Sequence, residues 1–309
     1  MQAPPLQNPI PNILMAIKVR AITNWTNSAS IHHRIIQQSL CAPSDGIVFV
    51  DDDSYDWLVV FNDKRGHEIR VPRERVIGFI QEPPDHDFFD RHIGQYCSVV
   101  YTCAEAEAYG IEGNLQGFPC GMFYHMDGPI RDYLDPSIPH KKRRVVSMVT
   151  SNVSRGFYRY RVQLARRLAA SGWVDVYGRG LRIRRAKGDL GNKADALMPY
   201  QFSICMENGI WADYVSDKII DAVLCRAIPI YAGATNIKTH IPFAIELQNY
   251  RSPGDAVQEI ERIISGTDYC SFVELMNEWA RKYANEYTIY SKIKQTVISS
   301  AKPGSLPCP

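Results

Sequence analysis

The sequence has no long apolar run. Its most hydrophobic stretches, Trp57–Phe61 and residues 228–234 with a proline and a glycine inside them, fall well short of the ~20 residues a membrane-spanning helix requires. A secretory leader is missing too, since residues 1–12 are rich in Pro and Gln and have neither a basic stretch nor a long apolar core. A cytoplasmic address is therefore expected. Attachment at a membrane periphery stays open, although residues 301–309 carry no basic amphipathic repeat. There is little excess charge of either sign: 35 Lys and Arg stand against 33 Asp and Glu, so no bulk field favours nucleic acid as a partner. The eight cysteines (41, 97, 103, 120, 205, 225, 270 and 308) include no CxxC pair, and without an export signal reduced thiols are expected. The eight histidines form no HxxxH pair, so no metal site and no required cofactor is expected. Internal repeats and low-complexity tracts are absent.

What is present is an ordinary globular composition, 45% hydrophobic and 22% charged, on a chain of 309 residues, long enough for two cores. Strand-like and helix-like segments alternate, which predicts an α/β architecture. In the first half, 17–22, 47–50, Trp57–Phe61, Val76–Ile80 and 98–103 read as strands. Residues 30–40 read as a helix with Ile31, Ile35, Ile36 and Leu40 on one side, and 104–109 opens a short helix or turn. Residues 127–144, with Pro129, Pro136, Pro139 and the run Lys141-Lys142-Arg143-Arg144, suit an exposed linker. A second unit then begins with strand 145–149. Helix 158–170, strand Val174–Tyr177, a polar basic loop over 181–193, strand 202–206, helix 216–224, strand 228–231 and helices 256–265 and 272–287 follow. The expected domains are 13–140 and 145–300.

The chemistry is concentrated in 200–233. Strand 202–206 ends in Glu207-Asn208-Gly209, and Asp213-Tyr214-Val215-Ser216-Asp217-Lys218 leads into a helix that Ser216 can cap. A lysine in a first helical turn opposes the positive end of the macrodipole. It makes sense there if an anion sits in front of the helix, where free N–H groups and the ammonium bind a diphosphate together. The next strand ends at Gly233, so two strand termini open toward one crevice, the place where open α/β sheets bind ligands.

These residues resemble the donor-site pattern of the α1,3/4-fucosyltransferases. That pattern is YKF-x-x-x-FEN, DYVTEK with an apolar helix, then a VPIYWG-like strand. Here stand Tyr200-Gln201-Phe202, Met206-Glu207-Asn208, Asp213 to Lys218, and Ile228-Pro229-Ile230-Tyr231-Ala232-Gly233, in the same order and spacing. Upstream, Ser151-Asn152, a helix carrying arginine, and Val174-Asp175-Val176-Tyr177-Gly178 match the family's strand ending in Ser-Asn, its helix and its VDVYG-like strand. The resemblance implies a GT-B glycosyltransferase with two facing Rossmann-like domains, the first for a glycan acceptor and the second for GDP-fucose. It implies donor binding through Arg161, Tyr177, Gly178, Glu207, Asn208, Tyr214, Asp217 and Lys218, with Arg155 and Arg159 as alternatives to Arg161. An arginine suits a diphosphate because its planar fork meets two oxygens at once. Three positions depart from the family: Asp217 for glutamate, Ala232 for tryptophan and Met206 for phenylalanine.

Inverting transfer needs a carboxylate that takes the acceptor hydroxyl's proton as the anomeric carbon gains oxocarbenium character. Glu82 is the candidate, at the end of strand Val76–Ile80 where Pro83-Pro84 forces an extended exit. Asp85 and Asp87 are its substitutes. Asp51-Asp52-Asp53 contains a formal DxD, better explained as a solvated turn than as a metal site, and Arg182, Arg184, Arg185 and Lys187 read as a solvated loop. Two other functions remain open: transfer of a different sugar on the same scaffold, and glycan or nucleotide binding without turnover.

Overall fold

Segments such as Trp57–Phe61 and Val76–Ile80 are apolar on both faces, the mark of parallel strands covered on each side, and all five residues of each are buried. The computed structural model describes residues 16–40, 46–135, 141–153, 156–248 and 250–301. Its first unit contains β1 (Ile17–Thr23), α1 (Ser28–Gln37), β2 (Ile47–Phe49), β3 (Trp57–Phe61), β4 (Val76–Ile80), α2 (Ile93–Tyr96), β5 (Val99–Thr102) and β6 (Leu115–Gly117). The strands lie in the order β2-β1-β3-β4-β5-β6, with every pairing parallel.

The second unit contains α3 (Ile130–Leu134), β7 (Arg144–Val149), α4 (Gly156–Ser171), β8 (Val174–Tyr177), β9 (Tyr200–Met206), α5 (Asp217–Leu224), β10 (Ile228–Ala232), α6 (Ile237–His240), β11 (Ile245–Glu246), α7 (Pro253–Gly266) and α8 (Val273–Lys282). Its sheet runs β11-β10-β9-β7-β8, again all parallel. Both sheets thus reverse strand order beside their first strand. A crevice opens at the carboxyl ends there, between β1 and β3 and between β7 and β9.

The last helix, α9 (Ile289–Ala301), lies inside the range 145–300 yet packs elsewhere. Ile289, Ile293 and Val297, all fully buried, join Val19, Ile31, Val59 and Phe79 in the core of the first sheet, and Tyr101 Oη is 2.8 Å from Thr296 Oγ1. By packing, α9 belongs to the first unit. The sequence reading predicts no helix beyond residue 287, so α9 is an element it missed.

Two other expectations are corrected. On α1, Ile31 and Ile35 are buried, but Ile36 and Leu40 are 45% and 42% exposed, so the apolar face is narrower than the spacing suggested. The stretch 127–144 is not simply an exposed linker. Ile130 and Tyr133 of α3 are three apart and enter the second core together. Lys142 Nζ reaches the carbonyls of Met198 (2.9 Å) and Cys225 (2.7 Å), and burial pulls its pKa down to about 7. Pro136, Pro139 and their neighbours lie outside the described residues. Among the described residues the cysteines are free thiols, and no helix is long and apolar enough to cross a membrane.

Replacing Ile293 by Ala removes a fully buried side chain from the seam between α9 and the first sheet. A loss of about 2–5 kcal/mol is expected. Urea denaturation checks it, and a change below 1 kcal/mol would mean that α9 does not dock there.

Candidate functional site

The second unit's crevice is built around one buried arginine. β7 ends at Val149 and β9 at Met206, and the residues just past them, Thr150 and Asn208, are bridged from α4 by Arg161. One terminal nitrogen donates to Asn208 Oδ1 (2.6 Å) and the other to Thr150 Oγ1 (3.1 Å). Arg161 is only 4% exposed, its Nε has no hydrogen-bond partner among the described residues, and burial lowers its pKa. A guanidinium so placed is desolvated and incompletely compensated, a state that an incoming anion relieves. Arg159 points to solvent and Arg155 lies outside the described residues, so Arg161 is the arginine at the crevice. Gly178 allows the close strand approach here: its φ is +151°, and a Cβ would meet the Thr150 carbonyl oxygen at 1.6 Å.

Across β9, Glu207 is fully buried. Its carboxylate accepts from the Ser216 N–H (2.8 Å) and the Ser216 hydroxyl, lies 3.3 Å from Lys218 Nζ, and receives the Tyr231 hydroxyl at 3.4 Å. Gly233 leaves room for it, because a Cβ there would come within 2.3 Å of Glu207 Cγ. Glu207 is therefore enclosed by its own partners and supports the crevice from behind. It positions Ser216, the N-cap of α5, and Lys218. The anion expected in front of that lysine is thus partly internal. Lys218 Nζ also meets Ser216 Oγ at 2.9 Å, and its side chain is 15% exposed at the crevice.

Asp217 lies between two lysines and a histidine, His125, whose own pKa burial pulls down to about 4. Lys193 Nζ is 2.7 Å from the Asp217 carboxylate, His125 Nδ1 3.3 Å and Lys218 Nζ 3.8 Å. Burial pushes the Asp217 pKa up, but these neighbours together hold it well below the usual carboxylate range. The same Lys193 reaches Asp221 at 2.5 Å, and desolvation raises that fully buried carboxyl to about 6. Lys193, Asp221, His125 and Thr150 escaped the sequence reading. Lys193 was counted as the tail of a solvated basic loop, and only the distance between 193 and 217 in space sets it apart. Arg182, Arg184, Arg185 and Lys187 are exposed, as expected.

Two further expected donor contacts are engaged with protein groups. Tyr214 is 1% exposed and its ring sits in the first unit's core with Ile22, Cys103 and Tyr109. The preceding Asp213, in a left-handed conformation at φ 62°, is fixed by Asn236 Nδ2 (2.7 Å) and His240 Nε2 (2.7 Å). Tyr214 fastens one unit to the other; it does not line the crevice. Tyr177, the last residue of β8 and paired with Val149, directs its hydroxyl to Tyr200 Oη (2.7 Å), which in turn donates to Asp175 (2.8 Å).

Glu82 follows β4 on the facing unit, its side chain 29% exposed and 3.8 Å from His86 Nδ1. Beside it a cleft of about 650 Å³ runs between the units, with Asp85, Asp87 and Phe88 on one wall and Tyr158, Asn208 and Trp211 on the other. The Asp51–Asp53 carboxylates are engaged separately: Asp51 with His32 (2.8 Å), Asp52 with the Ser54 N–H (2.9 Å), and Asp53 with Arg20 (2.6 Å) and Arg70 (2.5 Å). Among the described residues no cluster of His, Cys, Asp and Glu is arranged to hold a metal ion.

Residues 139–300 match the model of the glycosyltransferase family 10 (fucosyltransferase) C-terminal region. A fucosyltransferase-like protein of Arabidopsis thaliana is 30% identical over 112 residues, covering 36% of this chain and 21% of that protein. An α-(1,3)-fucosyltransferase of Helicobacter pylori is 39% identical over 59 residues, covering 19% and 12%. The matched segments thus span at most about a fifth of these relatives' lengths. The crystal structure of an α1,3-fucosyltransferase with GDP-fucose superposes with a TM-score of 0.52 at 14% identity, over 98% of this chain and 95% of the other. The architecture is that of the GT-B glycosyltransferases.

Two substitutions test this site. Arg161→Met should weaken binding of a diphosphate probe, inorganic pyrophosphate, at least tenfold by calorimetry, since charge-assisted hydrogen bonds contribute about 1.5–3 kcal/mol each. An unchanged affinity would remove Arg161 from the anion site. Lys193→Met leaves Asp217 and Asp221 facing each other, with folded pKa values raised above the unfolded value near 4. Groups raised in this way lose stability as pH climbs from the unfolded to the folded pKa. The loss should be about 3–5 kcal/mol at pH 7.5 and smaller at pH 5. Equal losses in urea melts at both pH values would count against the pair.

Proposed function

The chain belongs to glycosyltransferase family 10, the fucosyltransferases, and on that footing we propose that it moves fucose from GDP-fucose to a hydroxyl of a glycan with inversion at the anomeric carbon. The observation that carries the reading is the buried Arg161, incompletely paired, beside Asn208 and Lys218 at the second unit's switch point. A diphosphate there receives the arginine fork, the ammonium and the amino end of α5. We assign the first unit, with Glu82, to the acceptor and the second to the donor.

In this scheme the acceptor oxygen attacks the anomeric carbon of the β-linked donor as the bond from that carbon to the β-phosphate oxygen breaks. The bonding pair leaves with GDP, whose growing charge Arg161 and Lys218 stabilise. The acceptor proton passes to Glu82, and no covalent sugar–enzyme intermediate forms. Asp217, fixed by Lys193, is the remaining donor contact. Its shorter reach than the family's glutamate places it close to α5, and a nucleotide-sugar panel tests whether fucose is the sugar carried. Stabilisation against melting by GDP-mannose or a UDP-sugar, with none by GDP-fucose, would overturn the donor assignment.

Glu82→Gln should leave GDP affinity intact while lowering kcat roughly 10²–10⁴-fold. Normal transfer by this variant, measured with labelled GDP-fucose, would transfer the base role to Asp85 or Asp87.

A further inference from the structure

The open end of the interdomain cleft differs in chemistry from its floor. The cations that define the donor site are set below the surface: Arg161 is 4% exposed and Lys218 Nζ is held against Glu207 and Ser216. Among the described residues the walls above carry no lysine or arginine. They present instead Phe88, 52% exposed, from the first unit and Ile210, 40% exposed, with Trp211 from the second. Large apolar side chains left in water on both walls of one cleft mark a recognition surface. Phe88 is not a loose surface ring. Asn24, itself buried, donates to the Phe88 carbonyl at 2.9 Å, and the His86 ring packs 5.5 Å from the Phe88 ring.

Among the described residues the cleft lining carries two carboxylates, Asp85 and Asp87, and one titratable base, His86. Asp85 and Asp87 are exposed on the cleft wall, and Asp85 Oδ1 comes to 3.9 Å from the Cβ position of Gly209 across the cleft. A carboxylate or sulfate entering beside these two carboxylates would meet like charge, and the repulsion grows where the walls exclude water.

We propose that this end of the cleft selects an uncharged sugar acceptor, one that stacks the C–H face of a ring on Phe88 and Trp211, and that Asp85 and Asp87 exclude acidic glycans. The proposal rests on the glycosyltransferase reading above, because the same cleft leads to Asn208 at the donor floor. Aromatic faces suit such a ligand because they offer apolar area at small entropic cost while leaving its hydroxyls free.

The test separates acceptor recognition from transfer. With GDP present, ligand-observed NMR compares a neutral oligosaccharide with the same oligosaccharide carrying a terminal sialic acid or a sulfate. Neutral binding should be at least tenfold tighter. Phe88→Ala should weaken neutral binding about tenfold without weakening GDP, and Asp85→Asn/Asp87→Asn should narrow the gap between neutral and acidic ligands. Equal or tighter binding of the acidic sugars, or neutral binding indifferent to Phe88→Ala, would overturn the proposal. Release of GDP from GDP-fucose, followed in parallel, reports on the donor reading alone. Its failure beside normal neutral-sugar binding would indict the donor and leave acceptor selectivity standing.

Discussion

The second unit is organised around a carboxylate with no access to water. Glu207 is desolvated at the end of β9, and a charge in that position is tolerated only if it is multiply hydrogen-bonded. The Ser216 N–H and hydroxyl, the Lys218 ammonium and the Tyr231 hydroxyl supply those bonds. Each bond also places an element: the start of α5, the end of β10, and the lysine that faces the crevice. The glycine at 233 is a consequence of the same packing, since no side chain fits against Glu207 there. The lysine at the crevice is thus held by a residue that is itself closed off from solvent.

A second layer of ion pairs surrounds this one. Lys193 joins the loop after β8 to α5 through Asp217 and Asp221, and the His125 N–H adds a bond to Asp221 at 3.0 Å from the segment leading out of the first unit. The crevice floor is consequently a charge network that spans both units. Such a network holds its geometry by mutual compensation, and losing one member exposes the others' desolvation cost.

Much of this was legible in the sequence. Strands apolar on both faces foretold parallel sheets. The sequence Ser216-Asp217-Lys218 foretold a capped helix with a cation at the wrong end, and the order of motifs over 200–233 foretold the family. What stayed hidden depended on contacts between residues far apart in the chain. Tyr214 and Glu207 look like ligand contacts because they stand within a functional motif, yet one is a fastener and the other a support. Lys193 sits among solvated basic residues and differs from them only by what lies opposite it. Helix α9 has an unremarkable apolar spacing, and nothing local says which sheet it will cover. Ile130 and Tyr133 were masked by the prolines and charges around them.

The chain crosses between its two units twice, once on the way from β6 to β7 and again between α8 and α9, where one π turn, Tyr283–Tyr287, joins the helices. Two covalent crossings make a hinge line, and rotation about it is the softest relative motion left to the pair. Tyr214 lies off that connection, a peg from one half seated in the other, with the Glu105 N–H bonded to the Ala212 carbonyl at 3.1 Å beside it. Wide opening has to withdraw the peg, at about 1.5–3 kcal/mol for a ring of that size. The cleft is therefore a slot latched at its floor, and separating the halves costs at least the withdrawal of that buried ring.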